Sequence, residues 1–246
     1  MVEAARAGGA VALDHYRRGF EVSLKADRSP VTEADREAER AIVAVLRARC
    51  PDYGTLGEEL GAGGPAERRF IIDPIDGTRN FVRRIPTWAV LIGLEDAGRV
   101  SAGVVYQPVT GTLHTARRGR GAWRDGERIR VSTVDSLDRA LVVHASVNFL
   151  RRGPYWEGFL RLADQTEVQR GFGDFSAYLW VAEGKGEIAL STTVKVWDVA
   201  ALKVVVEEAG GRFSDLDGGD GLDASTVFAS NGLLHEAGLA AFRGRA

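Results

Sequence analysis

Phe70-Ile71-Ile72-Asp73-Pro74-Ile75-Asp76-Gly77-Thr78-Arg79-Asn80-Phe81 is the stretch on which the reading of this chain turns. Phe70 to Ile72 is a short apolar run, the pattern of a buried strand. It ends in two carboxylates, Asp73 and Asp76, followed by glycine and threonine. Pro74 fixes φ and donates no backbone hydrogen bond, so the strand is predicted to stop there. Gly77 permits a tight turn and the close approach of a ligand. Thr78 and Asn80 are suited to cap a following helix. Acidic oxygens beside free backbone N–H groups are what hard divalent cations and phosphate groups both require.

Upstream, residues 2–18 have the pattern of an amphipathic helix closed by Gly19, rather than of a cleavable signal. Phe20 to Lys25 alternates like a short strand. Thr32, with Asp35 three residues on, opens a second helix that carries Ile42, Val43 and Leu46 at core spacing and stops before Pro51. Gly54 to Gly64 reads as a loop around Gly57-Glu58-Glu59. Downstream, strands at 88–95, 100–107, 111–117 and 121–124 form an antiparallel meander, with Arg117-Arg118-Gly119-Arg120 as a solvated hairpin. From 141 the pattern alternates. Strands at 141–145, 166–170, 186–190, 211–213 and 226–230 are interleaved with helices at 153–163, 173–183, 197–209 and 232–242. The predicted organisation is an α+β half, residues 1–140, packed on an α/β half, residues 141–246. The two make one compact unit with the site between them.

The chain has 246 residues, 45% of them hydrophobic, which is ample for a large core. Its net charge of −2 gives no electrostatic case for nucleic acid or an anionic membrane as partner. No apolar run approaches the roughly 20 residues of a membrane span. One cysteine, Cys50, excludes an intrachain disulfide framework and a cysteine-based zinc site, and fits a cytoplasmic protein.

Acidic residues stand at three element junctions: Glu58 and Glu59 in the glycine-rich segment, Asp73 and Asp76 at the strand end, and Asp198 at the start of an apolar helix. Taken alone, Asp198 reads as an acid stabilising a helix N-terminus. If the clusters converge, like charges a few ångströms apart must take up protons or be neutralised by cations. The four histidines, His15, His114, His144 and His235, are scattered and show no metal-ligand spacing. An oxygen-only donor set favours Mg²⁺ or Mn²⁺. Such a cation could lower the pKa of a water and neutralise a phosphoryl group, so that no protein nucleophile is needed.

Asp73-Pro74-Ile75-Asp76-Gly77-Thr78, and Trp197-Asp198-Val199-Ala200-Ala201 with Glu207, Ala209, Gly210 and Gly211 behind it, resemble the two signatures of the inositol monophosphatase superfamily. Gly57-Glu58-Glu59 and Thr32-Glu33-Ala34-Asp35 match in order and spacing, so the resemblance covers the chain from about Ala4 to Leu239. It implies a layered αβαβα sandwich and a Mg²⁺-dependent phosphomonoester hydrolase holding up to three ions. It implies that Glu58, Asp73 and the Ile75 carbonyl bind the first metal. Asp73, Asp76 and Asp198 would bind the second, and Glu58 would help hold a third. Thr78 would sit near the attacking water, its hydroxyl oriented by Asp35, while the N–H groups of Gly77 and Thr78 cradle the phosphate. A homodimer and inhibition by lithium are also implied.

Within the superfamily the chain is most similar to the histidinol-phosphate phosphatase branch. Arg79 follows Gly-Thr where the inositol enzymes have a second threonine. Arg83-Arg84-Ile85-Pro86-Thr87-Trp88 is close to the histidinol branch, and Arg170-Gly171-Phe172-Gly173-Asp174-Phe175 replaces a Gly-Ser-Ala-Ala segment. Ser191 stands seven residues before Asp198, where the inositol branch carries a glutamate. The expected substrate is therefore L-histidinol phosphate, its ammonium drawn by Asp174, with Arg170 and Arg79 as further contacts. Asp174 could instead cap the helix that starts near Phe175. Inositol 1-phosphate or another small sugar phosphate is the alternative substrate. A non-catalytic binding partner in a transcription complex is the alternative from another class.

Overall fold

The structure is a computed structural model that describes residues 1–24, 30–220, 222 and 224–244. Helix α1 (Val2–Arg18) buries its smallest side chains, Ala4, Ala5 and Ala12, against α2 (Glu33–Arg49). The start of α2 is set as its sequence predicts. Asp35 Oδ2 accepts from both Thr32 N and Thr32 Oγ1, each at 2.7 Å. Between the helices, β1 (Val22–Leu24) pairs with β2 (Pro30–Thr32), and Lys25, which the sequence adds to this strand, lies outside the described residues.

Residues 54–64 are not a loop. They form a hairpin of β3 (Gly54–Gly57) and β4 (Gly61–Gly63), with β3 parallel to β5 (Arg68–Asp76). Glycine carries no apolar period, so the hydrophobic pattern is silent where the backbone ladder holds the segment. Strand β5 also runs through Pro74. Its register against β6 (Ala89–Asp96) shifts between Asp73 and Asp76. At such an irregularity a missing proline N–H removes no ladder hydrogen bond. The first helical residue of α3 (Thr78–Val82) is Thr78, and Gly77 is the N-cap in place of Thr78 or Asn80.

The meander continues through β7 (Arg99–Gln107), β8 (Thr112–Arg117), β9 (Gly121–Arg124) and β10 (Glu127–Ile129), completing an eight-stranded sheet of order β10-β9-β8-β7-β6-β5-β3-β4. Its β8–β9 tip is exposed, as expected, and is also pinned from α7 (Val196–Glu208). Glu208 accepts from the N–H groups of Gly119, Arg120 and Gly121 at 2.7–3.1 Å, and Arg118 pairs with Glu207.

A second sheet has five strands, in the order β12 (Val168–Gly171), β11 (Leu141–His144), β13 (Ile188–Thr192), β15 (Thr226–Ser230) and β14 (Arg212–Ser214). The first three are parallel, and β15 runs antiparallel to both of its neighbours, β13 and β14. The helix predicted at 153–163 is α5 (Trp156–Asp164), which starts after Gly153-Pro154, and a further short helix, α4 (Val147–Arg152), precedes it where none was predicted.

Alternation along β5 sorts the layers. Phe70 and Ile72 face α1 and α2, whereas Ile71 faces α6 (Asp174–Ala182) and α7 (Val196–Glu208). The other side of that helical layer meets the second sheet. Its far face packs Val142, Ile188 and Phe228 against α5 and α8 (His235–Arg243). The architecture is the expected αβαβα stack.

His235, fully buried, places its ring nitrogens 2.9 Å from Ser214 Oγ and 3.0 Å from Ser230 Oγ. Burial, with Arg212 nearby, pulls its pKa down to about 4. The unfolded chain therefore binds this proton first. The contribution is complete above the unfolded value near 6.5 and is lost as pH falls towards 4, with a limit on the order of 3 kcal/mol. Urea midpoints of wild type and His235→Asn, compared from pH 7.5 to 4.5, should diverge in slope, with wild type the steeper. Parallel slopes would refute the assignment.

Candidate active site

Two sequence-distant strand and helix ends meet at one point. The β5 irregularity delivers Asp73 and Asp76, both buried, and the first turn of α7 delivers Asp198. One carboxylate oxygen from each lies within 4.8 Å of the others. Backbone groups fix their orientation. Asp73 Oδ1 accepts from Ile75 N at 2.9 Å, Asp76 Oδ2 from Phe175 N at 2.6 Å, and Asp198 Oδ2 from Lys195 N at 2.7 Å. Asp198 is thus both the helix-terminal acid that the sequence allows and a member of the cluster.

Among the described residues no lysine or arginine is ion-paired with Asp73, Asp76 or Asp198. Burial pushes Asp73 well above the usual carboxylate range, with Glu58, Asp76 and Asp198 adding repulsion. Asp76 is raised by burial and then by Asp174 and Asp198, against the Phe175 N–H. Asp198 is pushed up to about 7 by burial, eased by the Lys195 N–H, with Glu58 and Asp174 raising it further. Buried anions without a counter-charge are costly, and a hard divalent cation held by oxygen donors removes that cost. The donor set fits such an ion.

Gly77 takes the left-handed conformation, φ 86°, and a Cβ there would approach Thr87 O to 3.1 Å. Its carbonyl accepts the first hydrogen bonds of α3, from Asn80 N and Phe81 N, which leaves the N–H groups of Gly77 and Thr78 ahead of the helical ladder. Phe81 anchors α3 from behind, with ring centroids 5.0 Å from Trp88 and 5.3 Å from Tyr16. Trp88 is thus a packing residue, as its size leads one to expect.

The expected pairing of Thr78 with Asp35 is absent among the described residues. Thr78 Oγ1 donates to the Ile75 carbonyl at 2.9 Å, and Asp35 Oδ2 is engaged by Thr32. A hydroxyl has one proton to give, and the carbonyl three residues back is closer to hand. Asp35 itself is buried, and burial raises it to about 6 against the Thr32 hydrogen bonds.

Asp174 does not cap its own helix. The N-cap of α6 is Gly173, and the Phe175 N–H is taken by Asp76. Asp174 is strained, with φ 55°, and its Oδ2 accepts from Asn80 Nδ2 at 3.1 Å. Its side chain is exposed to water at the cavity mouth, although neighbouring protein strips part of its hydration. That desolvation raises its pKa, and Arg79 opposes the rise.

Asp174 borders two adjoining cavities. The inner one, about 100 Å³, is lined by Asp76, Asp198, Tyr178, Ser191 and Thr192 among others. The outer one, about 340 Å³, is lined by Arg79, Asn80, His144, Phe149 and Phe172 among others. Arg170 lines neither: it projects from the edge strand β12 and donates to Gln169 O. Tyr178 and Thr192 were not anticipated. Both hydroxyls are buried and without a hydrogen-bond partner among the described residues, Tyr178 lying near Ser191 but outside bonding geometry. Inside an apolar helix a tyrosine reads as core, so the pattern carries no signal for it.

Compared with known proteins, the sequence matches the Inositol monophosphatase family over residues 1–245. A histidinol-phosphatase from Mycobacterium tuberculosis is 42% identical, covering 96% of this chain and 94% of that protein. An inositol-1-monophosphatase from Mesorhizobium japonicum is 38% identical over 99% and 94%. Among solved structures, the extragenic suppressor protein suhB from Bartonella henselae superposes with a TM-score of 0.92 at 33% identity, covering 99% of this chain and 96% of that one.

Proposed function

The chain belongs to the inositol monophosphatase family and is a metal-dependent phosphatase of small phosphate monoesters; we propose that its substrate is L-histidinol phosphate, cleaved to L-histidinol and phosphate. The observation that carries this reading is Asp174. Its carboxylate is not spent on a helix cap, and the residue lines both cavities, the inner one together with Asp76 and Asp198. An ester whose alcohol carries an ammonium gains from that carboxylate, whereas a polyol does not.

In this proposal Asp73, Asp76 and Asp198, with Glu58 and the Ile75 carbonyl, hold Mg²⁺, or Mn²⁺ in its place. A divalent cation held there would supply charge neutralisation to the phosphoryl group and would lower the pKa of a water. The Gly77 and Thr78 N–H groups take the phosphate oxygens. Thr78 Oγ1 spends its proton on the Ile75 carbonyl, so towards the attacking water it serves as a hydrogen-bond acceptor and not as the base. Glu58 is the carboxylate that receives the water's proton. The water oxygen bonds to phosphorus, the ester P–O bond breaks, and the leaving alkoxide takes a proton from solvent, to which Glu58 returns the one it received. Arg79 flanks the outer cavity near Asp174 as a phosphate contact, and Arg170 is a weaker candidate from the edge strand. Asp35 acts through the start of α2 rather than by touching Thr78.

The halves 1–140 and 141–246 are read as one unit, which the hydrogen bond from Phe175 N to Asp76 supports. The reading further expects lithium sensitivity, a homodimer, a cytoplasmic location, and no nucleic-acid or membrane partner. No helix among the described residues is long and apolar enough to cross a membrane.

Phosphate release with Mg²⁺, measured side by side on L-histidinol phosphate and myo-inositol 1-phosphate, tests the substrate. The expected result is a kcat/KM at least about tenfold higher for histidinol phosphate, the ratio that 1.4 kcal/mol of transition-state preference gives. A preference for the inositol ester would reject the substrate assignment and leave the phosphatase in place.

A further inference from the structure

Glu39 lies one turn after Asp35 on the inner face of α2 and is fully buried. Its two carboxylate oxygens clamp consecutive backbone donors at the β3–β4 tip. Oε2 accepts from Glu59 N at 2.8 Å and Oε1 from Leu60 N at 3.1 Å. The carboxylate also lies flush against Gly57, where a Cβ would stand 1.7 Å from Glu39 Oε1. On the other side of the tip, Glu58 N donates to Ile72 O at 3.2 Å, one residue before Asp73. Glu58 is therefore seated between two fixed points, β5 and the Glu39 carboxylate. The hairpin itself is glycine-rich and short, with little side-chain packing to hold its tip.

We infer that Glu39 is the positioning residue that sets where the Glu58 carboxylate stands against Asp73, and so tunes the affinity of the cluster for its divalent cation. This rests on the metal reading of the site. A buried acid spends both oxygens on backbone donors of the one turn that carries Glu58, and burial holds its pKa near 7. No bond from Glu39 to the reacting groups is required. Its effect passes through the backbone of residues 57–60.

The test is calorimetric titration of the metal-free protein with MnCl₂, without substrate. Glu39→Gln is nearly isosteric but turns one acceptor into a donor facing a backbone N–H. The expected result is a tenfold or greater loss of Mn²⁺ affinity, and kcat at saturating metal within threefold of wild type. In a Glu58→Gln background the same substitution should change Mn²⁺ affinity less than twofold, because the residue through which it acts is already neutral. Equal affinities for wild type and Glu39→Gln, or equal fold-losses in both backgrounds, would overturn the inference. Wild type that takes up no Mn²⁺ would overturn it together with the metal reading. Should Glu39→Gln not fold, Gly57→Ala, which must displace the Glu39 carboxylate, is expected to give the same loss, and unchanged affinity there refutes the inference.

Discussion

Asp73→Asn should lower turnover by about three decades or more while making the metal-free protein more stable. The two effects have one origin. The introduced asparagine retains an oxygen for the Ile75 N–H, so local geometry is kept. What disappears is a buried negative charge among Glu58, Asp76 and Asp198. With metal, that charge is a ligand, and losing several kcal/mol of charge stabilisation costs a factor of ten for each 1.36 kcal/mol. Without metal, the charge is a burden. A carboxyl whose folded pKa stands above its unfolded value contributes most below the unfolded value and destabilises as pH rises through the folded one. Removing it should raise the Tm of the metal-free protein at pH 7.5 by several degrees, since each 1 kcal/mol shifts a domain of this size by roughly 2–4 °C. The Tm rise that MgCl₂ gives wild type should shrink in the variant. Near-normal turnover, or a lower metal-free Tm with an intact response to MgCl₂, would contradict the assignment of the cluster.

The parts of this site legible in the sequence are those governed by local chemistry. Thr32 and Asp35 announce the start of α2 because a capping box is a four-residue device. Asp73, Asp76 and Asp198 stand out because acids at the ends of apolar runs need a reason. What escaped depends on partners distant along the chain. Whether β5 continues past Pro74 is decided by its register against β6. The β8–β9 tip is the solvated arginine-rich turn that the sequence reads, but the hold on three of its N–H groups by Glu208, almost ninety residues on, is not legible there. Asp174 reads equally well as a cap or a ligand until Asp76 is seen to occupy the Phe175 N–H. Glu39 on a helix full of charges looks like a surface residue, and only the fold of the glycine hairpin over it reveals a buried clamp. Thr78 shows a finer limit: the choice between Asp35 and the Ile75 carbonyl is a matter of which way one hydroxyl turns, which no spacing encodes.

Asp174→Asn should raise KM for L-histidinol phosphate about tenfold and leave kcat within threefold. Asparagine keeps an acceptor for Asn80 Nδ2, so the strained first turn of α6 loses no hydrogen bond. The charge lost is one that water reaches but that neighbouring protein partly desolvates. An exposed ion pair is worth at most about 1 kcal/mol and a buried, hydrogen-bonded one about 2–5 kcal/mol. A value near 1.4 kcal/mol, tenfold in affinity, falls between them. The substitution also removes the largest repelling charge on Asp76 after burial itself, which makes that residue a better anion and the cluster a slightly better metal site. The two effects separate by substrate. Myo-inositol 1-phosphate has no ammonium to lose, so its KM should be unchanged or lower, and the apparent affinity for Mg²⁺ should be unchanged or higher with either ester. An unchanged KM for histidinol phosphate would remove Asp174 from substrate recognition. Equal losses with both esters would make its role one of shaping the site for any phosphate ester rather than recognising the ammonium.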